Sequence, residues 1–196
     1  MSPSDQIQID VVVMAAGKGT RMKSRWPKVL QRLAGVPLVQ HVLNTASHLQ
    51  ARSAVVVTGH GAEQVEPVVL APSQALAVQC VRQEPQLGTG HAVQQAVPVL
   101  ADDGVVVVLS GDVPLTQADT LQALIAQCGG KQLALLTIDF ADPTGYGRIV
   151  RQGDAVQAIV EQKDATEAQR QIQEVYSGIM AVPAKLLKTW LARLDN

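Results

Sequence analysis

The chain has 196 residues, of which 47% are hydrophobic, 17% are charged and 3% are aromatic. Its 16 basic and 17 acidic residues give a net charge of −1, which argues against a protein that coats duplex nucleic acid, because such proteins carry a clear basic excess. So few aromatic rings argue equally against a stacking surface for single-stranded nucleic acid.

The sequence shows no membrane span and no secretion signal. No apolar run approaches the roughly 20 residues that a transmembrane helix needs, and the first ten residues carry acidic side chains but no basic n-region. Cys80 and Cys128 form no CxxC motif and are interpreted as small residues in a reducing compartment. We therefore expect a single domain over residues 1–196, located in the cytoplasm, with neither membrane nor nucleic acid as a partner.

Short β-branched runs alternate with helical stretches over the first 140 residues. The predicted strands cover 9–14, 54–58, 76–82, 105–109 and 133–138, and the predicted helices cover 37–49, 63–70 (weakened by Pro67), 90–97 and 116–128. Strands that are apolar at nearly every position are typical of a sheet covered on both faces. Thr116 is expected to cap the fourth helix and Gly129 to end it.

The last third of the chain has a different pattern of predicted strands and helices. Strands are predicted at 146–151, 156–162 and 175–182 without crossover helices, with a hairpin turn at 152–154 and a final helix over 184–194. The predicted fold class is therefore α/β, a Rossmann-like doubly wound mixed sheet. Such a sheet binds its ligand beyond the carboxyl ends of the parallel strands.

The first strand runs into the segment MAAGKGTRM, residues 14–22. Its small residues and its glycines, Gly17 and Gly19, allow a backbone loop to approach a ligand closely and to cradle phosphate with N–H groups. The spacing matches neither a Walker A motif nor a dinucleotide fingerprint, so the glycines alone are equally consistent with a flexible turn.

A cationic cluster follows at once, in a chain that is otherwise sparsely charged: Arg21, Lys23, Arg25 and Lys28, with Pro27 before the last of them. A solvated charge run is the alternative, but next to a glycine loop the cluster favours a polyphosphate site. Arg21 is suited to grip phosphoryl oxygens bidentately, whereas Lys28 is suited to act as a point charge.

A second glycine-rich loop, over residues 83–92, leads into a helix N-terminus and offers backbone donors. The amide of Gln83 has the donors and the acceptor needed to read a nucleobase edge. His91 shows no metal-ligand spacing with the histidines at 41, 48 and 60, so all four are interpreted as structural.

Asp112 follows the most hydrophobic strand and stands next to a glycine. A carboxylate in that position suits a Mg²⁺ ion bound to phosphate oxygens. The alternative is a helix-capping role, but Thr116 is expected to serve as the cap, so the metal site is favoured.

Together these motifs resemble the sugar-phosphate nucleotidylyltransferases. The segments that narrow the resemblance are AAGKGTRM followed by PK, then LGTGHA, GDVPL, PTGYGRI and VEQKD. In combination they resemble the uridylyltransferase domain of bacterial bifunctional N-acetylglucosamine-1-phosphate uridylyltransferase/glucosamine-1-phosphate acetyltransferases, over nearly all of the chain from Val11 onward. The resemblance implies the nucleotide-diphospho-sugar transferase type of fold.

The resemblance also implies roles for particular residues. Nucleotide contacts are implied for Met14, Ala15, Ala16, Gly17, Gln83, Gly88, Thr89, Ser110 and Gly111; catalytic phosphate contacts for Arg21 and Lys28; the Mg²⁺ ligand for Asp112; and sugar contacts for Gly147, Glu161 and Tyr176. The implied substrates are UTP and N-acetylglucosamine 1-phosphate, and the implied products are UDP-N-acetylglucosamine and pyrophosphate, used for peptidoglycan and lipopolysaccharide precursors. A homotrimer is implied only for the full-length protein.

Two departures from the family pattern stand out. Tyr176 occupies a position where the family usually has asparagine, and the family's uridylyltransferase region and its β-helix extend beyond residue 196. We therefore expect the chain to be a piece of a longer protein. Two alternatives remain open: a cytidylyl- or guanylyltransferase with a related loop, and a nucleotide-sugar binding module without catalysis.

Overall fold

The computed structural model describes residues 7–19, 22, 24–71 and 76–194. The chain forms two compact units: the first comprises residues 1–134 and 180–196, and the second comprises residues 135–179. Within the described residues, no helix is long and apolar enough to cross a membrane.

Strands and helices alternate along most of the chain. The strands are β1 (Ile9–Met14), β2 (Arg32–Leu33), β3 (Val36–Pro37), β4 (Ser53–Thr58), β5 (Val78–Arg82), β6 (Val105–Ser110), β7 (Ala134–Asp139), β8 (Arg148–Gln152), β9 (Ala155–Val160) and β10 (Glu174–Pro183). The helices are α1 (Leu38–His48), α2 (Ala62–Val69), α3 (Thr89–Ala96), α4 (Ala118–Cys128), α5 (Glu167–Arg170) and α6 (Ala184–Leu191).

The first unit is built on a mixed sheet with the strand order β5-β4-β1-β6-β10. The first four strands are parallel, and Met180–Pro183 of β10 pairs antiparallel with β6. The carboxyl ends of β1, β4, β5 and β6 therefore meet at one edge. The predicted α/β class with a doubly wound, mixed sheet is confirmed.

Both faces of this sheet are buried, as the unbroken apolar strands predict. On one face, α3 and α6 pack against alternate strand residues, among them Val12, Val55 and Val106. The intervening residues, such as Val11 and Val56, have no exposed surface and point to the opposite face, because side chains alternate along a strand. The apolar stripes of α1 and α4 supply the cover that this face requires.

The second unit is an antiparallel arrangement. β8 and β9 form a hairpin whose turn contains Gly153 at a φ of 59°, as predicted for residues 152–154. Val175 of β10 pairs with Arg148 of β8, and β7 pairs with β10. A capping box formed by Thr166 and Gln169 begins the short helix α5.

Some local predictions are wrong. Thr116 does not cap α4: the helix begins at Ala118, Gln117 is its N-cap without a side-chain bond, and the Thr116 hydroxyl donates to the carbonyl oxygen of Val113 at 3.3 Å. Thr116 lies one residue too early for its oxygen to reach the first turn. The small β2–β3 hairpin was not predicted, and α6 ends at Leu191 instead of residue 194.

Gly104 stands at the amino-terminal end of β6, opposite the edge where the strands end. Its φ is 81°, and a Cβ atom at this position would lie 2.3 Å from the backbone oxygen of Gln8. That oxygen accepts a hydrogen bond from Val105 N at 2.9 Å, and the Gly104 oxygen accepts one from Ala184 N at 3.1 Å. The segment before β1 and the first residue of α6 are therefore both hydrogen-bonded at this end of β6.

We expect Gly104→Ala to lower the free energy of unfolding by about 3 kcal/mol or more, because it adds a backbone clash to the strain of a positive φ. Gly35→Ala is a matched control, since Gly35 has nearly the same φ, 82°, and nothing lies within 4 Å of its added Cβ. The control should cost about 1–2 kcal/mol, the strain alone. Urea denaturation of both variants measures the difference, and equal losses would contradict the clash.

Candidate nucleotide site

A cavity of about 570 Å³ lies at the carboxyl ends of β1, β5 and β6, within the first unit. It is the place where a sheet of this type is predicted to hold its ligand. Three chain segments supply its lining: the loop after β1, the loop between β5 and α3, and the end of β6. The lining residues are Met14, Ala15, Ala16, Gly17, Lys18, Gly19, Met22, Lys28, Val29, Gln83, Gln86, Gly88, Thr89, Ala92, Ser110 and Asp112.

The loop after β1 is hydrogen-bonded to a neighbouring strand on one side and is free of close contacts at Gly17. Ala15 N donates to Val57 O at 2.8 Å, and His60 N donates to Ala16 O at 3.3 Å, which ties the loop to the neighbouring strand end. Nothing lies within 4 Å of a Cβ added to Gly17. All four loop residues predicted to contact the nucleotide through their backbones therefore lie at the cavity.

Gly19 brings the predicted phosphate-binding lysine close to this loop. Its φ is 56°, and a Cβ atom there would lie 3.1 Å from the Cβ of Lys28. Pro27 precedes Lys28 and packs against Gly61, where an added Cβ would meet the proline ring at 2.6 Å. The proline and two glycines thus fix where the lysine side chain starts. Arg21, the other predicted catalytic cation, lies outside the described residues.

Lys28 and Asp112 form an ion pair in the cavity. Their side chains are 44% and 24% exposed, so both remain open to a ligand. Asp112 is also the only acidic residue among the described residues that line the cavity. Asp112 therefore pairs with a lysine and does not cap a helix. The metal role was first favoured because Thr116 was expected to be the cap; that expectation is wrong, but the observed position of Asp112 still leaves its carboxylate in the cavity.

Ser110 lines the cavity, whereas Gly111 is buried and is not one of its lining residues. Gly111 N donates to Met14 O at 2.9 Å, and an added Cβ would lie 3.1 Å from the same oxygen and 3.2 Å from Val29. The glycine allows the ends of β1 and β6 to approach each other. Its direct contact with a nucleotide stays a prediction.

Gln83 is buried, with 4% of its surface exposed, directly after β5. Its amide nitrogen donates to Gly88 O at 2.9 Å and lies 3.2 Å from Nδ1 of His91. Gly88 precedes α3 with a φ of 109°, and Thr89 is the first residue of that helix. The structure therefore brings Gln83, Gly88 and Thr89 together at the cavity, as the sequence predicts.

The predicted sugar-binding residues lie together in the second unit. Tyr176 N donates to Gly147 O at 2.9 Å. An added Cβ on Gly147 would lie 2.9 Å from Cγ2 of Ile159 and 3.3 Å from Oε1 of Glu161, so a larger residue here would push against both side chains. The phenol of Tyr176 is protonated at neutral pH and can donate a hydrogen bond, and burial, which raises the pKa of Tyr176 to about 12, keeps it protonated in more alkaline solution as well.

Arg148 supports this group and was not predicted. It is 1% exposed, and its guanidinium donates to Tyr146 O at 2.5 Å and to Oε1 of Gln162 at 2.6 Å, while Nε has no partner within the described residues. The contacted residues flank Gly147 and Glu161. The signal in the sequence was an arginine directly before the apolar pair Ile149 and Val150 at the start of β8.

The sequence also missed several cavity residues, namely Lys18, Met22, Val29, Gln86 and Ala92. Lys18 adds a second described cation to the cavity, and its place between two loop glycines was a usable signal. Gln86 could be found only from the fold, because its side chain packs against Gly59, a residue far away in the sequence. A Cβ atom added to Gly59 would lie 2.8 Å from the Gln86 amide nitrogen.

Solved structures of low identity share this fold. A UDP-glucose pyrophosphorylase complexed with UDP-glucose matches with a TM-score of 0.80 at 16% identity, covering 97% of this chain and 81% of that chain. A UDP-glucose pyrophosphorylase from Acinetobacter baumanii matches with a TM-score of 0.73 at 23% identity, over 93% of this chain and 76% of that chain. The sheet with its loop-lined cavity is therefore the Rossmann-like nucleotidyltransferase fold, as the resemblance implied.

The relatives are far more similar in sequence. The chain is 72% identical over 189 residues to "Bifunctional protein GlmU" of Paracidovorax citrulli, covering 96% of this chain and 40% of that protein. It is 71% identical to the protein of the same name from Albidiferax ferrireducens, covering 96% of this chain and 41% of that protein. The chain thus spans about 40% of the length of these curated relatives.

A family described as "MobA-like NTP transferase domain" matches residues 11–177. The chain belongs to this family of nucleotidyltransferase domains. The predicted resemblance to the nucleotidylyltransferase region of a bacterial bifunctional enzyme is confirmed.

Proposed function

We propose that the chain transfers the uridylyl group of UTP to N-acetylglucosamine 1-phosphate, producing UDP-N-acetylglucosamine and pyrophosphate. The observation that carries the proposal is the Lys28–Asp112 ion pair in a cavity walled by the glycine loop. The similarity to bifunctional GlmU proteins over 96% of the chain supports the choice of substrates. Because UTP, the proposed substrate, is a cytoplasmic nucleotide, we also propose that the chain is located in the cytoplasm.

The proposed reaction joins two polyanions, so its barrier is mainly electrostatic. A phosphate oxygen of the sugar phosphate forms a bond to the α-phosphorus of UTP, and the bond between that phosphorus and the β-phosphate oxygen breaks as pyrophosphate leaves. The nucleophile is already anionic at neutral pH, so the chain needs no general base. Positioning and neutralisation of charge therefore account for catalysis.

The residues of the cavity match this task. Backbone N–H groups of the loop after β1 suit the triphosphate, since glycines leave them accessible. Lys28 supplies a positive charge, and Lys18 also lines the cavity. Gln83 has an amide suited to the uracil edge. Gly147, Glu161 and Tyr176, which belong to the second unit and are not lining residues of the cavity, are proposed to bind the N-acetylglucosamine moiety.

The donor set fits a divalent ion that arrives with the nucleotide, and we propose Mg²⁺. Within the described residues, no three acidic, histidine or cysteine side chains are grouped as metal ligands. One carboxylate is sufficient, because Mg²⁺ is commonly held by one or two carboxylates together with substrate phosphates and water. Asp112 would hold the ion, which supplies additional neutralisation of phosphate charge when bound.

Pyrophosphate release in the presence of Mg²⁺ tests the proposal. We expect release from UTP with N-acetylglucosamine 1-phosphate and far less from CTP, GTP or ATP, measured on this chain and on a version extended to the length of its relatives. A preference for CTP or GTP would point to the rival nucleotidyltransferases. Binding of UDP-N-acetylglucosamine without pyrophosphate exchange in either version would instead support a binding module.

A further inference from the structure

Gln83 presents one end of its amide to the cavity, and the structure shows which end. Its Nε2 lies 2.9 Å from Gly88 O and 3.2 Å from Nδ1 of His91. A backbone carbonyl can only accept a hydrogen bond, so Gly88 O requires the nitrogen end of the amide on its side. Both amide protons are then used inside the protein. Within the described residues, Oε1 accepts no hydrogen bond.

His91 must carry its proton on a particular nitrogen for this arrangement to hold. Nδ1 can accept from the Gln83 amide only when it is unprotonated, so the neutral ring carries its proton on Nε2. The side-chain amide of Gln95, one helical turn further along α3, lies 3.1 Å from Nε2. The nitrogen of this amide also donates to His91 O at 3.2 Å, so a half turn that presents Oε1 to the Nε2 proton gives up that bond. Gln95 is only partly buried, whereas Gln83 is 4% exposed, so Gln95 is the amide that can turn toward solvent at the lower cost.

The alternative proton position is disfavoured because it would disturb Gln83, the more buried of the two amides that face the ring. A proton on Nδ1 would point at the Gln83 amide nitrogen, and Gln83 would have to reverse its amide to accept it. The reversed amide would place Oε1 against Gly88 O, two acceptors at hydrogen-bonding distance. Gly88 O also accepts from Ala92 N at 3.1 Å, so it is not free to turn away.

We propose that His91 is a positioning residue that fixes the amide of Gln83 with its carbonyl oxygen toward the nucleobase, and thereby selects uracil over cytosine. This inference rests on the proposed function of the cavity. Uracil offers an N3–H donor, which a carbonyl oxygen accepts, whereas cytosine has an acceptor at N3. A reversed amide would present N–H groups and would favour cytosine.

The test compares binding of UTP and CTP by calorimetry, with MgCl₂ present, in the whole 196-residue chain and three variants. His91→Asn keeps an acceptor oxygen where Nδ1 stood, whereas His91→Gln places its amide nearer the position of Nε2, and His91→Leu has no acceptor. We expect the ratio of UTP to CTP affinity to stay near the wild-type value in the Asn variant. It should fall by about threefold to tenfold in the Gln and Leu variants, the effect of one lost orienting hydrogen bond.

A purely structural role for His91 would change melting temperatures and both affinities together, and would leave the ratio unchanged. An unchanged ratio in the Gln and Leu variants overturns the inference, as does an equal fall in the Asn and Gln variants. If the Leu variant does not fold, the Asn and Gln pair still decides. If the wild-type chain binds neither nucleotide, the proposed function is overturned as well. If the wild-type chain prefers UTP and the Gln and Leu variants keep the same ratio of UTP to CTP affinity, only the role of His91 is overturned.

Discussion

Replacing Lys28 by alanine is expected to slow uridylyl transfer by about 10²–10³-fold, with little change in folding. Loss of one preorganised charged contact to a developing anion typically raises a barrier by on the order of 3–4 kcal/mol. The side chain of Lys28 starts from a well-defined backbone position, with Pro27 before it and Gly19 against its Cβ. Its ammonium group lies in the cavity beside Asp112.

The effect should be specific to the cavity. Lys188→Ala provides a matched control, because Lys188 also forms an ion pair with an aspartate, Asp102, away from the cavity lining. The control should keep its rate near that of wild type, since an ion pair with an exposed partner contributes little. The measurement is pyrophosphate release at saturating UTP and sugar phosphate. The Lys28 variant is measured in whichever version of the protein, this chain or the extended one, is active without the substitution. Near-wild-type turnover of the variant there would count heavily against the proposed chemistry.

Replacing Asp112 by alanine is expected to abolish the response to Mg²⁺. Asp112 is the only carboxylate among the described residues of the cavity, so no neighbour there can replace it as a ligand. We expect turnover at saturating Mg²⁺ to fall by about 10²–10³-fold, comparable to the Lys28 variant, and to become insensitive to added MgCl₂. A titration of pyrophosphate release with MgCl₂ measures both effects.

Binding gives a second measurement that does not depend on turnover. In the wild-type chain, MgCl₂ should tighten UTP binding, and in the Asp112 variant it should not. Asp102→Ala is the control, because it removes a carboxylate from a lysine–aspartate pair but not from the cavity lining. Equal stimulation of the Asp112 variant and the wild type by Mg²⁺ would show that the ion is held elsewhere.

Most of the fold was predictable because the strands are strongly patterned. The run at 105–109 is apolar throughout, and the structure buries it between two layers of helices as β6. The helix ends were less predictable, as Thr116 shows, because capping depends on where the preceding loop lets the helix begin. The β2–β3 hairpin is too short to produce a hydrophobic period that a sequence can reveal.

The candidate site was predictable where chemistry-bearing residues directly follow strands. Gly17 and Asp112 belong to this group, since parallel strands end at the same edge of a sheet. Gln86 and Arg148 were missed, because their importance comes from contacts with distant segments: Gly59 in one case, and Gln162 together with Tyr146 in the other. The predicted role of Arg21 stays a prediction.

The sequence by itself determined the class of the sheet, the loops that follow its strands and the family, because periodicity and short motifs are local properties of the chain. Only the tertiary structure decided that Lys28 pairs with Asp112, that Gly111 lets two strand ends approach each other, and that His91 contacts the amide of Gln83. These partners are brought together by the packing of separate segments, and distances across the fold are not encoded in any one of those segments.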